Sequence, residues 1–264
     1  MTGSLRPGSL GVEQQAEKRM HPKRLTKVLL AIALLGSLSA CAGRQPARID
    51  DDPAESFNRK MFWFNDKADV YVLEPVAKGW DFVVPDRVQT SFSNFFENLA
   101  FPVVFINSSL QAKPHAAATE LARFMANTTF GLAGFFDPAT PWGLERREED
   151  TGQTLGYWGV PAGPYLVWPF FGPSNVRDTF GLAGDSLLGV YTFFIIPYVT
   201  FGTNTVRIVN ERSLFIDEVR SAKKASVDYY VFVRNAYIQR RDTLIEDGVV
   251  TEEEEDDLYE IEDE

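Results

Sequence analysis

The chain has 264 residues, enough for one large or two small domains, and its hydrophobic (45%) and charged (24%) fractions are those of a folded protein. A formal net charge of −11 argues against a nucleic-acid binder that works through a basic surface. The one cysteine, Cys41, excludes an intramolecular disulfide, and the 13% aromatic content, with 21 Phe, suits interfaces, membrane interfaces among them.

The first element is an address. Lys23, Arg24 and Lys27 form a basic region, and Val28 to Leu35 an apolar run too short to span a bilayer. Together they read as a signal peptide within residues 1–40, with translation starting at Met1 or at Met20. Leu38-Ser39-Ala40-Cys41 resembles the bacterial lipobox, in which the chain is cut before the cysteine. The expected modification is a diacylglycerol and an N-acyl chain on Cys41, with no other cofactor; an ordinary secretory signal with an incidental cysteine is the alternative. Two or more acyl chains give stable anchoring. Ala42 and Gly43 do not resemble the acidic inner-membrane retention signal, which favours the outer membrane. Removing residues 1–40 leaves 20 basic and 35 acidic residues, a charge of −15.

Residues 41–51 read as a lipidated tether. Asp52, Pro53 and Glu55 fit the N-cap, N1 and N3 positions of a capping box, and Phe57, Met61 and Phe64 share one helix face. Val88 to Ala112 predicts two short helices separated at Pro102, and Lys113 to Phe130 another helix. The pentapeptide FGLAG at Phe130–Gly134 returns at Phe180–Gly184; small residues at such spacing let helices approach closely, with coincidence as the alternative. A charged loop, PWGLERREEDTG, follows the first copy.

From Thr151 to Val206 only Arg177, Asp178 and Asp185 are charged. The apolar run Leu187 to Ile196 is shorter than a spanning helix and suits a buried, re-entrant or interfacial segment. Glu211 to Ile245 predicts one long amphipathic helix ended by Gly248. Residues 246–264 hold twelve acidic and no basic residues, so 249–264 read as a disordered or only locally helical tail that solvates the chain or recruits a basic partner. Helical periodicity dominates, which predicts an all-α body over 52–248.

Few groups suit catalysis. His115 is the only histidine after the signal peptide, and at the start of a helix it reads as an exposed cap-region residue. No His/Cys cluster suits zinc, and no phosphate loop or dinucleotide fingerprint is present. The expectation is no enzyme, no catalytic residues and no metal site; a periplasmic lipid hydrolase relying on His115 is a third hypothesis, behind transport and scaffolding.

Four stretches carry a resemblance: DPAESFNRKMFWFN; FSNFFENLAFPVVFINSSLQ; RFMANTTFGLAGFFDPA; and the segment 154–178, with Thr154-Leu155-Gly156, Gly159, Gly163-Pro164-Tyr165, Pro169, Gly172-Pro173-Ser174 and Arg177-Asp178. Over roughly Asp52 to Arg241 the chain resembles the MlaA/VacJ-type outer-membrane lipoproteins. The resemblance implies a ring-like helical bundle within one membrane leaflet, on the periplasmic side of the outer membrane. It implies a channel for misplaced phospholipids, a trimeric porin and the periplasmic carrier MlaC as partners, and no catalysis. A structural lipoprotein that scaffolds porins without moving lipid is the alternative.

On this view the bare segment lies among acyl chains, where each charge costs about 2.5–3.5 kcal/mol. Tyr157, Trp158, Tyr165, Trp168 and Tyr198 suit the interfacial belt. Asn175, Arg177, Asp178 and Asp185 suit a channel wall that meets a head group, although Arg177 and Asp178 pairing or capping a helix is the plainer alternative.

Overall fold

In a computed structural model, residues 52–189 and 197–247 are described, and all lie in one unit spanning 43–264. Cys41, the apolar run beyond 189, the Tyr198 side chain and the acidic tail lie outside what is described.

Helix α1 (Glu55–Ala68) passes through a π-helical turn (Asp69–Leu73) into α2 (Glu74–Val83). Pro75 has no N–H to give the carbonyl four residues back, and the widened turn sits just before it. The expected capping box is absent: α1 begins after Ala54 with no side-chain cap. Asp52 is drawn away, accepting bonds from Asn58 Nδ2 (2.9 Å) and the Tyr230 hydroxyl. Glu55 instead pairs with Arg59 one turn on. Phe57 and Phe64 face outward, and the buried residue of α1 is Asn58.

Helix α3 (Asp86–Leu110) runs unbroken through Pro102, where two short helices were expected. Its neighbours hold it on either side of the proline. Asn98 Nδ2 donates to Thr128 Oγ1 and the Ala133 carbonyl (3.0 and 3.3 Å), and Phe101 stacks on Phe124 with ring centres 4.3 Å apart. A three-residue connection leads to α4 (Pro114–Thr129), which packs back on α3 as a helical hairpin.

After a 3₁₀ turn (Thr140–Trp142) and the charged strap 144–150 comes α5 (Thr151–Tyr157), capped by Asp150 through the Gln153 N–H. A two-stranded antiparallel hairpin then joins β1 (Tyr165–Trp168) to β2 (Gly172–Asn175), with Tyr165 opposite Asn175. Helices α6 (Val176–Leu188), α7 (Pro197–Leu214), α8 (Ile216–Ala225) and α9 (Tyr229–Ile245) complete the body. The mostly helical fold agrees with the sequence, with this small hairpin added.

The long helix expected over 211–245 is three pieces. It breaks at Phe215 and again at Ser226–Asp228, where the Asp228 carboxylate caps α9 by accepting the N–H groups of Tyr230 and Val231. The two FGLAG copies also diverge. The first is a turn in which Leu132 and Ala133 take left-handed φ values (51° and 60°). The second lies inside α6, where a Cβ on Gly181 would come 2.5 Å from the Gly152 nitrogen, so these glycines set how closely α6 meets α5.

Polar side chains fill much of the interior. Gln89, Gln111, Gln153, Asn58, Asn107 and Asn210 are fully buried, whereas the apolar cluster of Tyr165, Val167 and Tyr230, supported by Met61, Phe62, Val231 and Tyr237, is small. The buried amides bond between elements. Asn210 Nδ2 on α7 reaches the Gln89 carbonyl and Ser93 Oγ on α3 (both 3.0 Å), and Trp80 Nε1 on α2 donates to Asn210 Oδ1 at 3.1 Å. Large apolar side chains lie outside: Phe82 is 91% exposed, and Trp63, Tyr71, Phe170, Phe171, Phe180 and Phe201 are also exposed. Among the described residues no helix is long and apolar enough to cross a membrane.

Candidate functional site

A cavity of about 1210 Å³ opens between α3, α4, the charged strap, α7, α8 and α9. Its wall is amphipathic. Phe96, Phe101, Val104, Phe124, Ile208 and Leu244 supply apolar surface. The charged lining holds seven arginines and seven acidic residues, so it carries no net charge.

Most of these charges hold one another. Arg146 pairs with Glu97 and Arg240 with Glu148, each at 2.5 Å. Arg123, buried, binds Asp137 at 2.9 Å, Thr140 Oγ1 and the Leu144 carbonyl, which ties the strap to α4. Burial works to raise the Asp137 pKa, but hydrogen bonds from Thr140, Arg123 and Asn127 outweigh it and hold the carboxyl below the usual range. Asp150 follows the same logic: burial opposes its charge, and the Arg241 guanidinium, at 2.5 and 3.0 Å, prevails.

Two wall residues differ. Glu120 is 7% exposed, and among the described residues it has no cationic side chain within 4 Å. Burial raises its pKa, and the Arg147 N–H donated to its Oε1 at 3.1 Å, with Arg123, Arg146 and Arg147 at longer range, only partly offsets that. The Arg147 side chain, half-buried, forms no ion pair among the described residues.

The residues singled out in the sequence fall behind this wall. Asn175 caps α6, accepting the Asp178 N–H and donating to Asp178 Oδ2, both at 2.8 Å. Asp178 also takes Arg177 Nε (2.9 Å), the Tyr237 hydroxyl (2.6 Å) and Arg241 Nη2 (3.1 Å). Burial, then the Asp178 charge, pushes the Tyr237 phenol up. Asp185 accepts the N–H and Oγ1–H of Thr151 (2.9 and 2.6 Å), and burial raises its pKa. Asn175, Arg177 and Asp178 thus form one buried network, and Asp185 fastens the same α5 start from the far end of α6. None of the four is on the cavity lining, but Asp150 and Arg241, in contact with the network, are.

The aromatics divide. Tyr157 and Trp158 are exposed, Trp168 is half-buried with its Nε1 donating to Thr179 Oγ1, and Tyr165 lies in the core against Tyr230. A second, surface groove is lined by Arg59, Lys60, Met61, Trp63, Phe64 and Pro169. The wall arginines and Glu120 were missed in the sequence; the clue was the dense ERREED run, which looked like solvated loop. His115 is exposed, and no group of residues suited to a metal ion occurs among the described residues.

The chain is similar to known proteins. A family model described as MlaA lipoprotein matches residues 50–244. The proteins named intermembrane phospholipid transport system lipoprotein MlaA from Shigella flexneri and from Escherichia coli are each 34% identical over 244 residues, covering 91% of this chain and 96% of theirs. A solved structure described as "Structural basis for maintenance of bacterial outer membrane lipid asymmetry" superposes with a TM-score of 0.67 at 34% identity, covering 74% of this chain and 99% of that one. With a family model over most of its length and relatives this similar, the chain belongs to the MlaA lipoprotein family.

Proposed function

We propose that the mature protein is an outer-membrane lipoprotein of an intermembrane phospholipid transport system, held by acyl chains on Cys41 and lying within the periplasmic leaflet. Its cavity passes mislocalised phospholipids from the outer leaflet to the periplasmic carrier MlaC, beside a trimeric porin. The observation that carries this reading is the reversed distribution of side chains: amides and ion pairs inside, large aromatics outside, and an amphipathic cavity between them. Apolar surface on this scale is stable only against apolar surroundings. A wall with both aromatic and charged groups suits a molecule with acyl chains and a polar head. The names of the relatives point the same way.

Deleting the protein is expected to raise phospholipid in the outer leaflet, with recovery on re-expression and none with Cys41→Ala. Unchanged lipid distribution together with retained porin capture would identify a scaffold instead and overturn the transport reading.

A further inference from the structure

We infer that Glu120 and Arg147 form a head-group site in the cavity wall that prefers a zwitterionic aminophospholipid to an anionic one. The inference rests on the cavity taking lipid, as proposed above, and names which lipid.

The first ground is balance. A site built to gather anionic lipid would show an excess of cations, but the arginines and acids of this lining are equal in number. The second is the pairing. The other strap charges on the lining are spent: Arg146 on Glu97, Glu148 on Arg240, Glu149 on Lys113 and Gln111, and Asp150 on Arg241. Glu120 and Arg147 are left. They are held side by side by the main-chain bond from the Arg147 N–H to Glu120 Oε1, yet their charged groups are more than 4 Å apart, and the Arg147 charge only partly offsets the burial of Glu120.

A buried carboxylate with no cation is costly, and burial's upward push on its pKa reflects that cost. A ligand that brings its own ammonium removes the cost. Phosphatidylethanolamine carries a phosphate and a primary ammonium two carbons apart. The guanidinium takes the phosphate oxygens, and the Glu120 carboxylate accepts an ammonium N–H. Phosphatidylglycerol offers the same phosphate but only hydroxyls beyond it, and leaves Glu120 unpaired. Phe124, one turn on from Glu120, and Phe101 beside it receive the acyl chains.

The test uses the full acylated protein with a photo-reactive phenylalanine analogue replacing Leu244 on the cavity wall. It is reconstituted in nanodiscs of equal parts phosphatidylethanolamine and phosphatidylglycerol, irradiated, and the attached lipid is identified by mass spectrometry. Wild type is expected to favour phosphatidylethanolamine by about fivefold, an energy of a single charge-assisted contact. Glu120→Gln, which keeps an acceptor for the Arg147 N–H, should bring the ratio near one; Arg147→Gln should lower capture of both lipids without reversing the preference, and Arg147→Lys should keep capture near wild type. Lys67→Gln, on α1 and off the cavity lining, should leave the preference unchanged. Circular dichroism verifies that each variant is folded. Equal capture by wild type, a preference that survives Glu120→Gln, or undiminished capture by Arg147→Gln overturns the head-group site while leaving the cavity as a lipid site. No lipid attached in any form overturns the transport reading, and this inference with it.

Discussion

The side chain of Asn58 stands against Val167 as a neighbouring strand would, its Oδ1 accepting the Val167 N–H at 2.9 Å while its Nδ2 donates to the Tyr165 carbonyl at 2.9 Å. Two helical turns on, Asn65 repeats the pattern on Phe170 N–H (2.8 Å) and the Trp168 carbonyl (2.9 Å). A four-residue strand with one partner is short of bonds, and α1 supplies them from side chains. Asn58→Leu therefore leaves a buried donor and acceptor on β1 unpaired. The expected loss is about 2–4 kcal/mol, measured by thermal unfolding in detergent, with a smaller loss for Asn65→Leu, whose site is more exposed.

The contact of α5 with α6 predicts a contrast among glycines. At Gly181 an added methyl meets the backbone of Gly152 at 2.5 Å, so Gly181→Ala must separate the helices at a cost of about 1–3 kcal/mol or more. At Gly202, inside α7, nothing lies within 4 Å, and Gly202→Ala should stabilise by about 0.5–1 kcal/mol through helix propensity alone. Unfolding temperatures of the two variants should move in opposite directions.

Glu120 sets a pH dependence of definite sign. Its folded pKa lies above the ordinary 4.5, so its ionised form destabilises the fold. That penalty is complete above the raised value and fades as the pH falls through it. Glu120→Gln removes it and should raise the melting temperature of the free protein at pH above that raised value. The gain should shrink on acidification and disappear near the ordinary glutamate value. A melting temperature lower than wild type at pH above the raised value would contradict this.

Two neighbouring arginines of α9 should differ sharply. Arg240 is well exposed and its pair with Glu148 is screened, so Arg240→Ala should cost less than about 1 kcal/mol. Arg241 is buried between Asp150 and Asp178, and Arg241→Ala strands two carboxylates, at a cost of about 3–5 kcal/mol. Added salt should blur the first effect and leave the second.

Much of this body was legible in the residues, because helix periodicity and turn residues act locally. The hairpin of α3 and α4 and the break before α4 follow from Pro114 and its neighbours. What escaped was decided by tertiary contact. Asp52 looked like a cap until Asn58 and Tyr230 claimed it, and Pro102 looked like a break until Asn98 and Phe101 were fixed from across the hairpin. Asn58 and Asn65 read as the polar side of α1, since nothing local says that a strand lies over them. The division at Asp228 was legible: Ser-Val-Asp ahead of an apolar run is a start signal, outweighed by a long periodic pattern. The cavity site was hidden because a dense run of opposite charges looks the same whether it faces solvent or an interior space.

The buried amides also bear on the order of assembly. Hydrophobic collapse in water is driven by apolar area, and little of this chain's apolar area lies inside, where Asn, Gln and Ser side chains join the helices. Directional bonds between amides form firmly only once competing water is gone. The helices should therefore take shape early but dock late, when an apolar medium has wetted Phe82, Phe170 and Phe201.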